Sequence, residues 1–268
     1  MSRTVESPLV SAADLAGSLD AVTVLDVRWR LGGPPGREEF RRGHVPGAAY
    51  VDLDIDLADP PGDGGRHPLP APDRFVAAMR AAGVTQNRRV VVYDDWAGQA
   101  ASRAWWLLRH YGHRHVQVLD GGWTAWTDHG GEVEKGDQET AAPGDFSGEP
   151  GSMPVVDGLA APGVAVLIDA RAAERYRGEI EPVDPVAGHI PGAVNVPTTA
   201  NLDARGRFRA PEELRSLYEG AGAGPDTDVA VYCGSGVTAT HDIMALELAG
   251  VRAALYPDGW SGWLAVAR

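Results

Sequence analysis

Six short, largely apolar runs punctuate the chain: Val22 to Val27, Val90 to Tyr93 and Val116 to Leu119, then Val164 to Asp169, Val229 to Tyr232 and Ala253 to Leu255. Runs of this length, rich in valine and with little alternation, predict strands of a parallel sheet covered on both faces. Helical stretches lie between them. Two open with proline followed by acidic residues, Pro72-Asp73-Arg74-Phe75-Val76 and Pro211-Glu212-Glu213-Leu214. Proline suits the first helical turn because its missing N–H would be unbonded there anyway, and acids suit the positive end of the helix dipole. Strands alternating with helices predict α/β architecture. From Gly130 to Gly151 the chain is rich in Gly, Glu, Pro and Asp and poor in large apolar residues, the composition of a connection.

The pattern occurs twice. The first half runs Val24-Leu25-Asp26-Val27-Arg28, Gly43-His44-Val45-Pro46-Gly47-Ala48, Val91-Val92-Tyr93-Asp94, and Leu119-Asp120-Gly121-Gly122-Trp123 with Trp126. The second runs Leu167-Ile168-Asp169-Ala170-Arg171, Gly188-His189-Ile190-Pro191-Gly192-Ala193, Val229-Ala230-Val231-Tyr232-Cys233, and Tyr256-Pro257-Asp258-Gly259-Trp260 with Trp263. Four blocks in the same order at similar intervals mark an internal duplication. The expected organisation is a domain over 1–130, a linker over 131–157 and a second domain over 158–268, each a parallel sheet flanked by helices.

Charge and composition narrow the function. At a formal net charge of −13, the 268-residue chain is a poor partner for nucleic acid or an anionic membrane. No apolar run reaches the roughly 20 residues of a membrane span, and the first residues lack a signal core. The single cysteine, Cys233, excludes an internal disulfide and a thiolate metal cluster, and fits a reducing, cytoplasmic setting. Neither metal nor cofactor is called for.

Ligands of open parallel sheets sit where strands end and helices begin. In the second half that place reads Val231-Tyr232-Cys233-Gly234-Ser235-Gly236-Val237-Thr238-Ala239. Two glycines after the cysteine let the backbone curl so that successive N–H groups face the sulfur, and a nest of amides at a helix start favours an anion. Cys233 is therefore expected to be a nucleophile, held as thiolate, rather than a buried apolar residue. The same register in the first half places Asp94 at the cysteine's position. A carboxylate cannot take a thiolate's part, so that copy is expected to be silent. Tyrosine phosphatases also use a cysteine in such a nest, but they need an arginine six positions on, where this chain has Ala239.

The paired Gly-His-(Val or Ile)-Pro-Gly-Ala blocks and the loop Cys233-Gly234-Ser235-Gly236-Val237-Thr238 resemble the tandem-domain rhodanese and 3-mercaptopyruvate sulfurtransferase family over essentially the whole chain. The resemblance implies two rhodanese-like domains and transfer of sulfane sulfur through a Cys233 persulfide to a thiol, thioredoxin or cyanide. Thiosulfate-type members carry basic residues after the cysteine. The uncharged Gly234, Ser235 and Gly236 are similar to the mercaptopyruvate type, which implies a small keto-acid donor. Thiosulfate:cyanide transfer and a persulfide carrier without turnover of its own are the alternatives, with arsenate or other oxyanion chemistry a weaker one. The family's substrate arginines match best onto Arg171 and Arg175, with Gly234, Gly236, Val237 and Thr238 lining the donor. Its Ser-His-Asp relay would fall on Ser235, His67 and Asp54.

Other conspicuous residues read as structure. His44 and His189 recur in both halves, including the one without cysteine, so they are expected to bond backbone. Asp26 and Asp169 should pair with backbone or arginine at the strand ends, and the tryptophans should pack. Arg177 reads as a surface residue and Arg103 as a bridging one. The His110 to His115 cluster lacks neighbouring carboxylates for a metal.

Overall fold

The chain was analysed as a computed structural model, which describes residues 7–62, 64–137, 142–158 and 160–266. It divides into two compact units, one of Met1–Leu57 with Pro70–Ser152 and one of Ala58–Leu69 with Met153–Arg268. The first holds β1 (Leu9–Val10), β2 (Val22–Asp26), β3 (Ala49–Tyr50), β4 (Arg89–Tyr93) and β5 (Val116–Leu119), in the order β1-β5-β4-β2-β3. The second holds β6 (Val166–Asp169), β7 (Val194–Asn195), β8 (Val229–Tyr232) and β9 (Ala253–Leu255), in the order β7-β6-β8-β9. Every pairing is parallel.

All six runs that the apolar pattern marked become strands of these sheets. β1, β3 and β7 are two residues each, too short to give a periodic signal. The helices Pro72–Ala81 and Pro211–Gly220 start at their prolines. In the helices Ala101–His110 and Ala239–Leu248 nearly every residue is buried, as helices directly behind a central strand must be.

The stretch that composition marked as a connection is built into the units. His44 and Glu134 exchange backbone hydrogen bonds of 2.9 and 3.0 Å. Phe146 is fully buried, edge-on to Phe75, and its carbonyl accepts from Arg80 Nε at 2.6 Å. Further on, Val155 bridges Leu255 in parallel, which gives β9 the neighbour that β1 gives β5. One buried aromatic and two backbone pairings outweigh a polar composition.

Behind the loop that begins at Cys233, the helix Ala239–Leu248 covers a buried polar cluster. The Asn201 amide donates to Asp242 Oδ1 at 2.7 Å, and the Tyr218 hydroxyl donates to Asn201 Oδ1 at 2.8 Å. Asp242 Oδ2 has no hydrogen-bond partner. Burial pushes the Asp242 carboxyl from 3.8 up to about 6, against the pull of His241 and Asn201. A carboxyl with a raised folded pKa keeps its proton longer in the native state than in the unfolded chain. Its contribution to stability is therefore present below the unfolded pKa and lost as pH rises to about 6. Asp242→Asn keeps the acceptor and removes the titration. Urea unfolding should show the variant gaining about 3 kcal/mol relative to wild type between pH 4 and pH 7, at ~1.4 kcal/mol per pKa unit; a pH-independent difference would contradict the assignment.

Candidate active site

Corresponding residues of the two units make the same contacts, and this separates scaffold from chemistry. At the end of β2, Arg28 grips Asp26 through Nε and Nη2, donates to the Gly43 carbonyl at 2.7 Å and lies 4.9 Å from the Trp123 ring centroid. At the end of β6, Arg171 grips Asp169 in the same way, donates to the Gly188 carbonyl at 2.6 Å and lies 5.1 Å from Trp260. Tyr93 and Tyr232 accept from the backbone N–H of Val45 and Ile190, both at 3.1 Å. Arg171 is buried, and its remaining nitrogen, Nη1, faces Glu181 at 3.4 Å. Arg171, for which the resemblance implied a substrate role, has its guanidinium engaged at a strand end, as Arg28 has in the half without cysteine.

The two histidines repeat as well. His44 Nδ1 bonds the Phe40 carbonyl at 2.9 Å and stacks on Phe40; His189 Nδ1 bonds the Tyr176 carbonyl at 2.7 Å and stacks on Tyr176. These bonds make Phe40 and Tyr176 counterparts, and so also Glu39 and Arg175. Arg175 therefore has a residue of opposite sign in the other half. In the His110 to His115 cluster, His110 stacks on Trp106 and His113 Nε2 bonds the Thr85 carbonyl at 3.1 Å. Among the described residues no group of three His, Cys, Asp or Glu is placed to hold a metal ion.

The strand-to-helix loops show what the nest is for. In the first unit Asp94 is fully buried, and its carboxylate accepts from the N–H groups of Trp96, Gly98, Ala100 and Ala101 at 2.7–2.9 Å. The copy without cysteine thus fills its own anion site. Burial pushes the Asp94 carboxyl above its ordinary value while these four amides pull it back. In the second unit Cys233 takes that place after β8. Its carbonyl accepts from Trp260 N–H at 2.8 Å, as the Asp94 carbonyl accepts from Trp123 N–H at 2.7 Å. A side chain at Gly122 or Gly259 would stand 2.3 or 2.7 Å from those same carbonyls, so both positions require glycine. Among the described residues the N–H groups of Ser235, Val237 and Thr238 have no protein acceptor. Cys233 is 2 % exposed.

Around this loop the fold gathers some of the expected residues. Ser235 Oγ lies 2.7 Å from His67 Nδ1, both buried. His67 belongs to the segment Ala58–Leu69, which groups with the second unit. That segment is seated by Gly65, whose φ of +92° and close approach to the Asp258 carbonyl leave no room for a side chain. Asp54 lies in the first unit, where its carboxylate accepts from Trp29 Nε1 at 2.8 Å. Gly236 has φ +75° and lies against the Pro257 carbonyl. Val237 and Thr238 lead into the helix, their carbonyls accepting from Thr240 and His241 N–H.

Arg175 pairs with Glu181 at 2.6 Å and with Asp184 at 3.3 Å. Beside it stands Arg66, which sequence reasoning missed, paired with Asp184 through Nη1. A Cβ placed on Gly234 would fall 2.8 Å from Arg66 Nη2 and 3.6 Å from Arg175 Nη1. Adjacency to His67 was the only signal that could have pointed to Arg66.

Two parallel-sheet domains of one plan, one with a cysteine where the other has a buried carboxylate, define a tandem rhodanese architecture. The Rhodanese-like domain profile matches residues 11–129 and again 155–266, and the chain belongs to that family. A Pseudomonas aeruginosa protein provisionally named a 3-mercaptopyruvate sulfurtransferase is 44% identical, over 96% of this chain and 94% of its own length. A Mycobacterium tuberculosis protein provisionally named a thiosulfate sulfurtransferase is 42% identical, over 95% and 93%. The crystal structure of the Escherichia coli 3-mercaptopyruvate enzyme superposes with a TM-score of 0.83 at 34% identity, covering 95% of this chain and 99% of that one. The chain is a sulfurtransferase. Among the described residues no helix is long and apolar enough to cross a membrane.

If Arg171 is scaffold, Arg171→Met should lower stability by about 3–5 kcal/mol, because Asp169 is left as a buried charge without its partner. Urea unfolding at pH 7 would measure this. Unchanged stability with a raised donor KM would restore the substrate role.

Proposed function

We propose that the protein is a 3-mercaptopyruvate sulfurtransferase working in a reducing, cytoplasmic setting, with Cys233 as the sulfur carrier. The observation that carries this reading is the 2.7 Å contact between Ser235 Oγ and His67 Nδ1 inside the cysteine's own loop. It puts a proton-transfer group beside a nucleophile at a helix start. The Cys233 thiolate attacks the sulfur of HS–CH2–CO–COO⁻. The S–S bond forms, the C–S bond breaks, and its electron pair goes to carbon as the enolate of pyruvate. The proton first carried by the donor thiol ends on that carbon, leaving a persulfide anion on Cys233. With His67 protonated on Nε2, its Nδ1 accepts the Ser235 hydroxyl and the pair relays this proton. Asp54 is the proposed third member of the relay. An acceptor thiol, thioredoxin or cyanide then takes the terminal sulfur and returns the thiolate. Burial of Cys233 keeps the persulfide out of bulk water between the half-reactions.

Uncharged loop residues favour the keto acid over thiosulfate, whose two charges call for cations in the loop itself. Gly234, Gly236, Val237 and Thr238 are proposed to line the donor. Pyruvate release and thiocyanate formation, measured side by side, should give the larger kcat/KM with mercaptopyruvate. The reverse ratio would overturn the donor assignment and leave Cys233 in place. Cys233→Ser should abolish both activities and the gain of one sulfur in intact mass. A stable persulfide without turnover would make the protein a carrier. Ser235→Ala and His67→Asn should each lower kcat by roughly 10²-fold or more, the usual worth of general acid–base catalysis.

A further inference from the structure

Most of the arginine nitrogens around the cysteine loop are already committed. Arg171 has an acceptor on each of its three nitrogens. Arg175 spends Nε and Nη2 on Glu181 and Nη2 again on Asp184. Arg66 spends Nη1 on Asp184. Two terminal nitrogens remain: among the described residues neither Arg66 Nη2 nor Arg175 Nη1 has an acceptor. Both stand within 4 Å of one point, the position a Cβ would take on Gly234. The residue next to the nucleophile lacks a side chain where two guanidiniums converge.

The carboxylates that hold them lie deeper. Asp184 and Glu181 side chains are 4 % exposed, against 24 % for Arg66 and 18 % for Arg175. The acids thus fix the guanidiniums from behind and leave one N–H edge of each facing the loop. Arg66, Arg175, Glu181 and Asp184 together carry no net charge, so the group suits one added negative charge better than two. Gly234 is not among the residues with positive φ, so its backbone does not demand glycine; the demand comes from Arg66.

We infer that Arg66 and Arg175 jointly bind the carboxylate of a monoanionic sulfur donor, and that Arg66, delivered by the segment Ala58–Leu69, is the residue that sets the preference for a keto acid. Two carbon atoms separate sulfur from carboxylate in mercaptopyruvate, and one residue separates Cys233 from the point where the guanidiniums meet. The inference rests on the sulfurtransferase reading and adds a residue to it. Arginine is suited to the task because its planar fork can be fixed through one edge and still offer N–H donors to a carboxylate.

The test compares wild type, Arg66→Met and Arg66→Lys in the full-length protein, with thermal unfolding confirming that each is folded. Mercaptopyruvate KM should rise at least tenfold in Arg66→Met, with kcat within about threefold, and Arg66→Lys should recover part of the loss. Thiosulfate KM should move less, which makes the donor preference itself the readout. Gly234→Ala, which pushes Arg66 aside, should reproduce the KM effect. A mercaptopyruvate KM within twofold of wild type in Arg66→Met overturns the assignment. Pyruvate binding to the Cys233→Ser protein by calorimetry separates the two readings. Should wild type use neither donor, the sulfurtransferase reading falls, and Arg66 is then judged by whether its loss weakens pyruvate binding tenfold or leaves it unchanged.

Discussion

Main-chain N–H groups that meet at the start of a buried helix need an acceptor, since an unbonded buried donor costs about 1–3 kcal/mol. Much of this protein can be understood as two answers to that demand. In the first unit the chain supplies its own anion: Asp94 follows β4 and takes four amides on one carboxylate. In the second unit the same strand-to-helix connection carries Cys233, an atom that can be an anion and can also react. Both loops are pinned from outside by the same device, the carbonyl just past the strand end bonded to the first tryptophan N–H of the helix that follows the next strand. The proposed catalytic loop thus has the plan of a structural loop, with a cysteine where the first unit has its filling anion.

Duplication supplies an internal control for assigning roles. The Asp-Arg-Tyr-Trp group at each strand end recurs with matching distances, so Arg171 makes the contacts that Arg28 makes in the unit without cysteine. Residues whose counterparts break the match are the candidates for chemistry. Cys233 corresponds to Asp94, and Arg175 corresponds to Glu39. The resemblance alone could not make this distinction. It matched two arginines by position, whereas the contacts show one with every nitrogen engaged and one with a nitrogen to spare.

What could be read from the sequence was local or repeated. The apolar runs, the proline-led helices and the four blocks carry their signal within a few residues, and the structure has strands and helices at those places. The cysteine loop was legible because its glycines and its place after a strand dictate its backbone. Arg66 was hidden for the opposite reason. It lies in a glycine-rich excursion with no copy in the second half, and its meaning depends on Asp184, far along the chain. Phe146 was hidden in the same way, a single large apolar residue in a polar stretch whose burial is set by Phe75 and Arg80. Composition averages over such residues; packing does not.

The excursion Ala58–Leu69 carries two neighbouring side chains with different contacts. His67 meets Ser235, and Arg66 meets the space above Gly234. One stretch of backbone thus brings the imidazole and the guanidinium to neighbouring residues of the cysteine loop. Its seating is equally economical. Gly65 lies against the Asp258 carbonyl, and the Arg66 N–H bonds Ser261 Oγ. Ser261 N–H in turn bonds the Gly234 carbonyl, and Trp260 N–H bonds that of Cys233. The helix Gly259–Val266 therefore fixes the Cys233 loop and the segment bearing Arg66 and His67 through consecutive residues. Distances among Cys233, Ser235, His67 and Arg66 are thus set by one short piece of backbone, which is how a site assembled from remote parts of the chain can be held to the tolerances that catalysis needs, if these residues form the proposed site.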